Sequence, residues 1–293
     1  MLANVEAMTY AVQSAGPITV DRILEVHRRL LSSTKINAPF AGAIRTEPNW
    51  IGGNTYNPIG AAFVPPPHTA VNGLLDDLCA FCNNDQLPAV AQVAIAYAQF
   101  ETIHPFADGN GRTGRALIYM VLRRRGLAQR ATPPISLVLA TRAKDYVARL
   151  DATRTVGEPT SPAATEALNR WIAFFAVACT RAVADAETFE QRIADIQSDW
   201  RTRLGKLRAD ASALKLVDVL PAVPVLTVTG AAKAINREFW SANQAIKDLI
   251  ACNILTPITA GKRNRAFEAK DIIDAFTALE RQLASVPIQK FVP

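Results

Sequence analysis

The sequence predicts a mainly α-helical protein built in two parts. Residues 88–103 (PAVAQVAIAYAQFETI) begin with proline and continue as an apolar run without helix breakers, which is typical of a buried helix. Residues 112–125 (RTGRALIYMVLRRR) are rich in helix formers and apolar on all sides until the final arginines, which indicates a second such helix. From residue 187 the chain becomes charged and amphipathic, so a separate C-terminal part is expected.

The segment between the two apolar helices predicts a helix-loop-helix junction with an anion site. Gly109 and Gly111 allow the backbone to turn tightly ahead of the second helix. The first N–H groups of that helix have no partner within it, and the helix dipole places positive charge there. Such a terminus favours a phosphate or another anion.

Four side chains around this junction carry the elements of phosphoryl chemistry. Arg112 and Arg115 are three residues apart, so they share a helix face and can both reach a polyphosphate. Asp108 precedes the glycines and is placed to hold Mg²⁺ on phosphate oxygens. His104, whose ordinary pKa is about 6.5, is mostly neutral at pH 7 and can accept a proton from an attacking hydroxyl.

Other interpretations of the same residues are weaker. Residues 109–114 satisfy G-x-G-x-x-G, but the dinucleotide fingerprint needs a preceding strand and an acidic residue roughly 20 positions later. Here the preceding segment is helical, and no Asp or Glu occurs between Asp108 and Asp145. A Walker A loop is absent. A structural role for His104 would be an equal alternative if that histidine stood alone.

Residues 104–115 (HPFADGNGRTGR) resemble the Fic family motif H-x-F-x-[DE]-G-N-G-R-x-x-R at all eight fixed positions. Outside the motif, Gly42 and Arg45, residues 49–53 and residues 63–67 resemble the β-hairpin flap of that family. The similarity extends over about residues 4–185 and includes further positions that resemble the helices closing the same fold, namely Tyr146, Leu150, Trp171, Phe174 and Phe175.

The resemblance implies a protein adenylyltransferase, which moves AMP from ATP to a Ser, Thr or Tyr hydroxyl and releases pyrophosphate. It implies catalytic roles for His104, Asn110 and Arg112, a Mg²⁺ ligand in Asp108, and a core anchor in Phe106. The ATP-binding residues it implies are Ile51, Gly52, Gly53, Asp108, Gly109, Asn110, Gly111, Arg112, Thr113, Gly114, Arg115 and Tyr146.

Two features of the motif region refine this expectation. Phosphate-transferring relatives carry Lys where this chain has Gly111, so AMP transfer is favoured. The flap, near Trp50 to Pro67, is expected to dock the protein target as an added strand, although a plain surface hairpin is an alternative. Tyr146 fits either an adenine contact or core packing, and His27 fits a packed, satisfied histidine.

Many Fic proteins carry an inhibitory S/T-x-x-x-E-[GN] helix whose Glu pairs with the second motif arginine. No such hexamer occurs in the 293 residues. Residues 4–8 resemble the segment that follows this helix, so either the natural N-terminus is missing or the inhibitor is a separate protein. Arg115 is expected to be unrestrained in both cases.

Composition sets the remaining bounds. With 49% apolar residues and a net charge of +6, the chain can form full cores and permits contact with ATP or nucleic acid. It shows neither a signal peptide nor a membrane-spanning run, which predicts a cytoplasmic protein without membrane contact. The four cysteines lie in apolar helical contexts and are expected to be reduced rather than zinc ligands.

The C-terminal part resembles a winged helix-turn-helix. Its predicted elements are a short helix at 229–235, a second helix at 241–252 and a hairpin formed by residues 254–258 and 265–267 around a turn at 259–264. The buried face of the second helix is predicted to consist of Ala242, Ala245, Ile246 and Leu249. The predicted domains are a Fic domain at 1–186, a connecting helix at 187–216 and the winged helix at 217–293.

A DNA-binding regulator is the alternative function that the winged helix raises. Asn243, Gln244 and Lys247 would face a major groove, while Lys262, Arg263 and Arg265 would meet phosphates. Glu238 and Asp248 on the same surface oppose DNA, and winged helices also serve as protein docking modules. A protein partner and a homodimer therefore stay open.

Overall fold

The computed structural model describes residues 2–13, 16–32, 38–54, 56–129, 132–258 and 265–285. Over these residues it contains twelve α-helices and three short β-strands, which confirms the mainly α prediction. The chain divides into two compact units, the first ending at Arg181 and the second beginning at Ala182. The second unit therefore begins slightly earlier than the predicted connecting helix.

The first unit is helical apart from the flap. Short 3₁₀ turns lie at Ala38–Phe40 and His68–Ala70. Its helices are α1 (Leu2–Gln13), α2 (Val20–Leu31), α3 (Val71–Asn83), α4 (Ala89–Ile103), α5 (Asn110–Arg124), α6 (Ile135–Thr141), α7 (Ala143–Ala152) and the first part of α8 (Pro162–Leu204).

Helices α4 and α5 form the centre of this unit because both are apolar on several sides. Helix α5 packs against α1, α2 and α4, and α4 packs against α3. The indole Nε1 of Trp171 in α8 donates to the Ala94 carbonyl of α4 over 2.8 Å. Trp171 and Phe175 are fully buried, and Leu150 and Phe174 are nearly so, as the resemblance to the closing helices implied.

Helix α8 corrects the predicted connecting helix at 187–216. Instead of starting at residue 187, it runs without a break from Pro162 to Leu204. It ends where Gly205 adopts a left-handed conformation (φ 70°), which terminates helices because glycine tolerates that region. A separate helix, α9 (Ser212–Val219), then covers the remainder of the predicted segment.

The second unit combines short helices with a three-stranded antiparallel sheet in the order β1-β3-β2. Leu226 and Pro257 each pair with Phe267 in this sheet. The elements after α9 are β1 (Val225–Thr227), α10 (Val228–Ala234), α11 (Phe239–Ala251), β2 (Thr256–Pro257), β3 (Ala266–Glu268) and α12 (Lys270–Ser285). The two predicted helices and the hairpin are present, whereas β1 was not predicted.

The core of the second unit lies between α11 and the sheet. Ile246 and Leu249 of α11, together with Phe267 of β3, are fully buried there. The four side chains predicted to form the buried face of α11 are all buried, so that prediction is confirmed. Trp200 is also buried in this core, and its Nε1 donates to Asp271 over 2.8 Å.

The side chains predicted to face DNA have varied positions. Asn243 Oδ1 accepts a hydrogen bond from Arg265 over 2.7 Å, and Gln244 Nε2 donates to Asp248 over 2.9 Å. Lys247 is exposed. Lys262 and Arg263 fall in the turn at 259–264, outside the described residues. DNA binding therefore stays a prediction that no described contact favours.

Two further sequence predictions concern cysteines and membranes. Cys79 and Cys82 are buried in α3, as expected of core cysteines, whereas Cys179 and Cys252 are partly exposed. Every described helix is too short or too polar to cross a lipid bilayer.

Candidate active site

Residues 104–109 join α4 to α5 and confirm the predicted helix-loop-helix junction. Helix α4 ends at Ile103, and His104 adopts the left-handed region (φ 48°, ψ 61°) while its N–H bonds the Phe100 carbonyl over 3.0 Å. A non-glycine residue in that region costs about 1–3 kcal/mol, and such strain clusters at functional sites. Gly109 is also left-handed (φ 81°) and caps α5.

The interior of this loop is held by Asn110. Its Oδ1 accepts from the Phe106 N–H over 2.9 Å, and its Nδ2 donates to the Phe106 carbonyl over 2.7 Å. Asn110 is 3% exposed, and the Phe106 ring is fully buried, which confirms Phe106 as a core anchor. Because both polar ends of the Asn110 side chain are used inside the loop, Asn110 shapes the loop backbone.

The side chain of His27 in α2 packs against the same loop. Its ring stacks on Phe106 with centroids 3.7 Å apart and planes within 6°. Nδ1 accepts from the Gly42 N–H over 3.0 Å, so Nδ1 carries no proton, and Nε2 donates to the Asp108 carbonyl over 2.9 Å. Burial lowers the pKa of His27, which keeps the ring neutral. The prediction that His27 is a packed histidine is confirmed, and its ring also stabilises the loop at Phe106 and Asp108.

Asp108 and Arg112 lie at the mouth of the loop. Asp108 Oδ1 accepts from the Gly109 N–H over 2.6 Å, and Oδ2 pairs with Arg112 Nη2 over 3.2 Å. The Asp108 side chain is 60% exposed. The carboxylate is therefore oriented by the loop and still reachable from solvent.

The N-terminus of α5 supplies an anion cradle. Gly109 provides no side-chain cap, so within the described part of the chain the first-turn amides of this helix (residues 110–112) suit solvent or an anionic ligand. A side chain at Gly109 would be strained, because its φ is positive and its Cβ would lie 3.2 Å from the His27 ring, closer than an ordinary contact.

Three further residues of the predicted ATP-binding set have distinct surroundings. A Cβ at Gly114 would lie 2.6 Å from Glu101 Oε1 and 3.0 Å from Tyr97, so Gly114 permits α5 to pack closely on α4. Thr113 is fully buried. A Cβ at Gly111 would lie 3.2 Å from Arg115 Nη1, so this glycine leaves room for that guanidinium. Gly114 and Thr113 thus face the interior.

Glu101 is a site residue that the sequence interpretation missed. It lies on α4 three residues before His104 and is 6% exposed. Within the described part of the chain, its Oε1 has no hydrogen-bond partner. Burial raises the pKa of Glu101 to about 7, against the opposing charges of Arg115 and Arg154. A lone carboxylate in the otherwise apolar run of α4 was the signal available in the sequence.

His104 is held in its neutral form by its surroundings. Burial lowers the pKa of His104 to about 4, and the nearby guanidinium groups of Arg45 and Arg154 act in the same direction, while the Glu101 carbonyl opposes them. Its Nδ1 is buried and lacks a hydrogen-bond partner among the residues described. A neutral imidazole can accept a proton, which is the chemistry predicted for this position.

The flap (residues 50–67) forms a minimal hairpin. The Ile51 N–H donates to the Phe63 carbonyl over 2.9 Å, and the Ala62 N–H donates to the Ile51 carbonyl over 2.8 Å. Gly52 and Gly53 are both left-handed (φ 77° and 71°), which turns the chain after Ile51. The predicted hairpin is therefore present as one isolated β-bridge.

Arg45 connects the C-terminal end of the flap, and the segment just before the flap, to the backbone of the motif. This buried side chain donates through Nε to the His104 carbonyl over 2.9 Å. Through Nη2 it donates to the Pro66 carbonyl over 2.5 Å, and through Nη1 to the Glu47 carbonyl over 3.2 Å. The flap and the predicted general base thus share one anchor.

Tyr146 of α7 lies in an aromatic cluster. Its hydroxyl bonds the Tyr97 hydroxyl over 2.9 Å, and its ring centroid lies 6.1 Å from that of Trp171. Burial raises the pKa of Tyr146 to about 12. These contacts describe the core-packing alternative of the sequence interpretation and do not test an adenine contact.

The donor set at the loop suits a divalent cation that arrives with a nucleotide. Among the described residues, no group of three or more His, Cys, Asp or Glu side chains could hold a metal ion. Mg²⁺ is usually held by one or two carboxylates together with substrate phosphates and water. The exposed Asp108 carboxylate, next to the first-turn amides of α5, would be one such carboxylate.

Comparison with known proteins agrees with this geometry. Residues 17–122 match the family model described as Fic/DOC family. Protein adenylyltransferase fic-1 of Caenorhabditis elegans is 33% identical over 132 residues, which are 44% of this chain and 23% of that protein. A probable protein adenylyltransferase of Aquifex aeolicus is 41% identical over 69 residues, which are 23% of this chain and 22% of that protein. The matches thus span less than a quarter of each relative.

A solved structure shows the same fold. A Fic family protein from Desulfovibrio desulfuricans G20 aligns with a TM-score of 0.51 at 19% sequence identity. The alignment covers 92% of this chain and 72% of that protein.

Proposed function

We propose that this chain, which carries a Fic/DOC domain at residues 17–122, transfers AMP from ATP to a hydroxyl group of a protein. The observation that carries the proposal is a neutral, left-handed His104 at the end of α4, in the loop that leads to the N-terminus of α5. The printed names of the relatives, which are protein adenylyltransferases, support the same reaction.

The reaction requires one proton acceptor and one departing pyrophosphate. His104 takes the proton of a Ser, Thr or Tyr hydroxyl as its oxygen attacks the α-phosphorus of ATP. The bond between that phosphorus and the oxygen bridging to the β-phosphate breaks, and pyrophosphate leaves with the bond's electron pair. The pKa of His104, lowered to about 4, keeps the acceptor unprotonated at neutral pH, although it also makes the imidazole a weaker base.

The phosphates are bound by the start of α5. Its free first-turn amides and its dipole favour the polyphosphate, and Arg112 and Arg115 add positive charge. Gly111 leaves the space that the Arg115 guanidinium occupies. Asn110, His27 and Phe106 hold the loop that these groups surround, so the protein contributes mainly by positioning.

Asp108 would hold the Mg²⁺ ion of a Mg-ATP complex. The Gly109 N–H and Arg112 orient this exposed carboxylate. Bound Mg²⁺ would neutralise negative charge on the phosphates during transfer.

The target protein would dock on the flap near Trp50 to Pro67. Among the described residues the flap makes one isolated bridge, between Ile51 and Phe63, and an extended segment of the target would add as a strand beside it. Arg45 keeps the flap attached to the His104 backbone, so a docked segment would present its hydroxyl near the base.

The proposal is tested with radiolabelled ATP and Mg²⁺. We expect label from α-³²P-ATP, and not from γ-³²P-ATP, to become attached to protein, and intact-mass spectrometry to show an AMP adduct. His104→Ala should lose the adduct. Label from the γ-phosphate alone, or an undiminished adduct in His104→Ala, would overturn the proposal.

A further inference from the structure

Arg154 contacts the flap through an aromatic face. Its guanidinium carbon lies 3.7 Å from the centroid of the Phe63 ring, within the range of a cation–π contact. Phe63 is the flap residue whose backbone forms the bridge to Ile51. Arg154 thus touches the flap at the residue that closes its hairpin.

The edges of the same guanidinium bond to α7 and to the last turn of α4. Nη1 donates to Asp151 over 2.7 Å, Nε to Thr102 Oγ1 over 3.3 Å and Nη2 to the Glu101 carbonyl over 3.4 Å. The Arg154 side chain is 11% exposed. Thr102 and Glu101 precede His104 by two and three residues, so Arg154 connects the flap to the helix end that carries the proposed base.

We infer that Arg154 is a positioning residue that holds the Phe63 strand of the flap in place against the end of α4. The inference rests on the proposed function, because the flap is there the docking site for the target hydroxyl. Arg45 holds Pro66 at the end of the flap and Glu47 just before the flap through carbonyl groups, and Arg154 holds Phe63 in the second strand of the flap through its side-chain ring.

The chemistry of this contact requires arginine. A planar guanidinium can stack its face on Phe63 and still donate from its edges, whereas a lysine ammonium offers one compact charge. Burial lowers the pKa of Arg154, and the ion pair with Asp151 compensates for the buried charge. Lysine at this position would keep the charge and lose the combination of stacking and edge bonding.

Hydrogen–deuterium exchange measured by mass spectrometry tests the inference without any reaction. We expect flap peptides of Arg154→Gln and of Phe63→Leu to exchange about tenfold faster than in the wild type, the effect of losing a desolvated cation–π contact. The double variant should match the single variants, because each removes the same contact. Arg170→Gln, which loses an exposed pair with Glu166, is the matched control and should leave flap exchange unchanged.

A second readout separates positioning from a general loss of structure. Exchange in peptides of α5 (Asn110–Arg124) should stay within about twofold of the wild type in Arg154→Gln, because the loss of this contact should loosen the flap and not the whole unit. AMP transfer to protein should fall about tenfold in the same variant. Arg154→Lys should not restore flap protection.

The possible results distinguish the positioning role of Arg154 from the proposed transfer of AMP. Unchanged flap exchange in both Arg154→Gln and Phe63→Leu would overturn the positioning role, whatever the activity. Full protection in Arg154→Lys would also overturn it, because charge alone would then suffice. If the wild type forms no AMP adduct while the flap loosens as expected, the proposed reaction fails and the positioning of the flap by Arg154 stands.

Discussion

The Asp108 main-chain carbonyl accepts a hydrogen bond from Nε2 of His27, which lies 81 residues earlier in the chain, over 2.9 Å. The same imidazole accepts from the Gly42 N–H and stacks on Phe106. One neutral side chain therefore fixes the backbone at the residue proposed to hold Mg²⁺.

His27→Ala should destabilise the first unit by about 3 kcal/mol. The variant removes a buried ring, leaves the Asp108 carbonyl and the Gly42 N–H unpaired, and opens space against Phe106. Urea denaturation gives the free energy of unfolding. His68→Ala, at a partly exposed histidine, should change it by less than about 1 kcal/mol. Equal effects of the two variants would contradict the assigned role.

Gly114→Ala should destabilise the protein by about 1–3 kcal/mol, because the new Cβ would meet Glu101 Oε1 at 2.6 Å. Gly73→Ala is the matched control in the first turn of α3, where nothing lies within 4 Å of the new Cβ. It should stabilise the protein by roughly 0.5–1 kcal/mol, since alanine favours helices. Thermal unfolding of both variants checks the opposite signs. A Gly114→Ala variant as stable as the wild type would contradict the close packing of α5 on α4.

The Glu101 carboxyl should make stability fall as pH rises. Its folded pKa of about 7 exceeds the ordinary value of 4.5. Above pH 4.5 the carboxyl therefore ionises in the unfolded chain first, which stabilises the unfolded chain relative to the folded one. The loss approaches roughly 3 kcal/mol above pH 7. The charged and titratable groups facing Glu101 are Tyr97, Tyr146, Arg115 and Arg154.

Glu101→Gln removes that titration. Urea denaturation at pH 5 and pH 8 should show a smaller pH dependence in Glu101→Gln than in the wild type. The same pH dependence in both proteins would mean that Glu101 ionises normally in the folded state.

As the pH is lowered, the rate of AMP transfer should begin to fall only near pH 4. His104 accepts the proton when neutral, and its pKa of about 4 means that protonation begins far below the ordinary value of 6.5. Arg154→Gln removes a positive neighbour, so the acid limb should move to higher pH. Adduct formation followed by mass spectrometry across pH 4–8 measures both profiles. An acid limb near pH 6.5 in the wild type would contradict the buried, neutral imidazole.

Asp108→Asn should raise the Mg²⁺ concentration needed for half-maximal AMP transfer by about tenfold or more. The amide keeps an oxygen for the Gly109 N–H but loses the negative charge that attracts the ion. Asp145→Asn changes an exposed aspartate of α7 and should leave the Mg²⁺ dependence unchanged. Equal Mg²⁺ requirements in wild type and Asp108→Asn would remove Asp108 from the metal site.

Short-range sequence patterns predicted the two central helices of the first unit and the loop between them. The apolar runs and the glycines fix α4, α5 and the junction between them. Gly114 completes the G-x-G-x-x-G pattern of the sequence. Its close neighbour is nevertheless Glu101 of α4, which comes near Gly114 because the two helices pack together. The break at Gly205 and the three-residue strand β1 lack a periodicity long enough to be recognised.

The supports of the site could not be predicted because their partners are distant in sequence. His27 and Asp108 lie 81 residues apart, and Arg45 and His104 lie 59 residues apart. Arg154 appears in the sequence as an ordinary surface residue after a short helix, and its stacking on Phe63 depends on where the flap folds. No periodic pattern encodes such pairings.

Arg45 bonds the carbonyl groups of Glu47, just before the flap, and of Pro66, within it, and a carbonyl is the same in every residue type. The outward side chains of the flap, such as Tyr56, Ile59 and Val64, do not take part in that attachment. Evolution can therefore exchange them without disturbing the backbone that carries His104. In the proposed function the flap docks the target, so a library randomised at those three positions should change the choice of target while preserving the transfer chemistry.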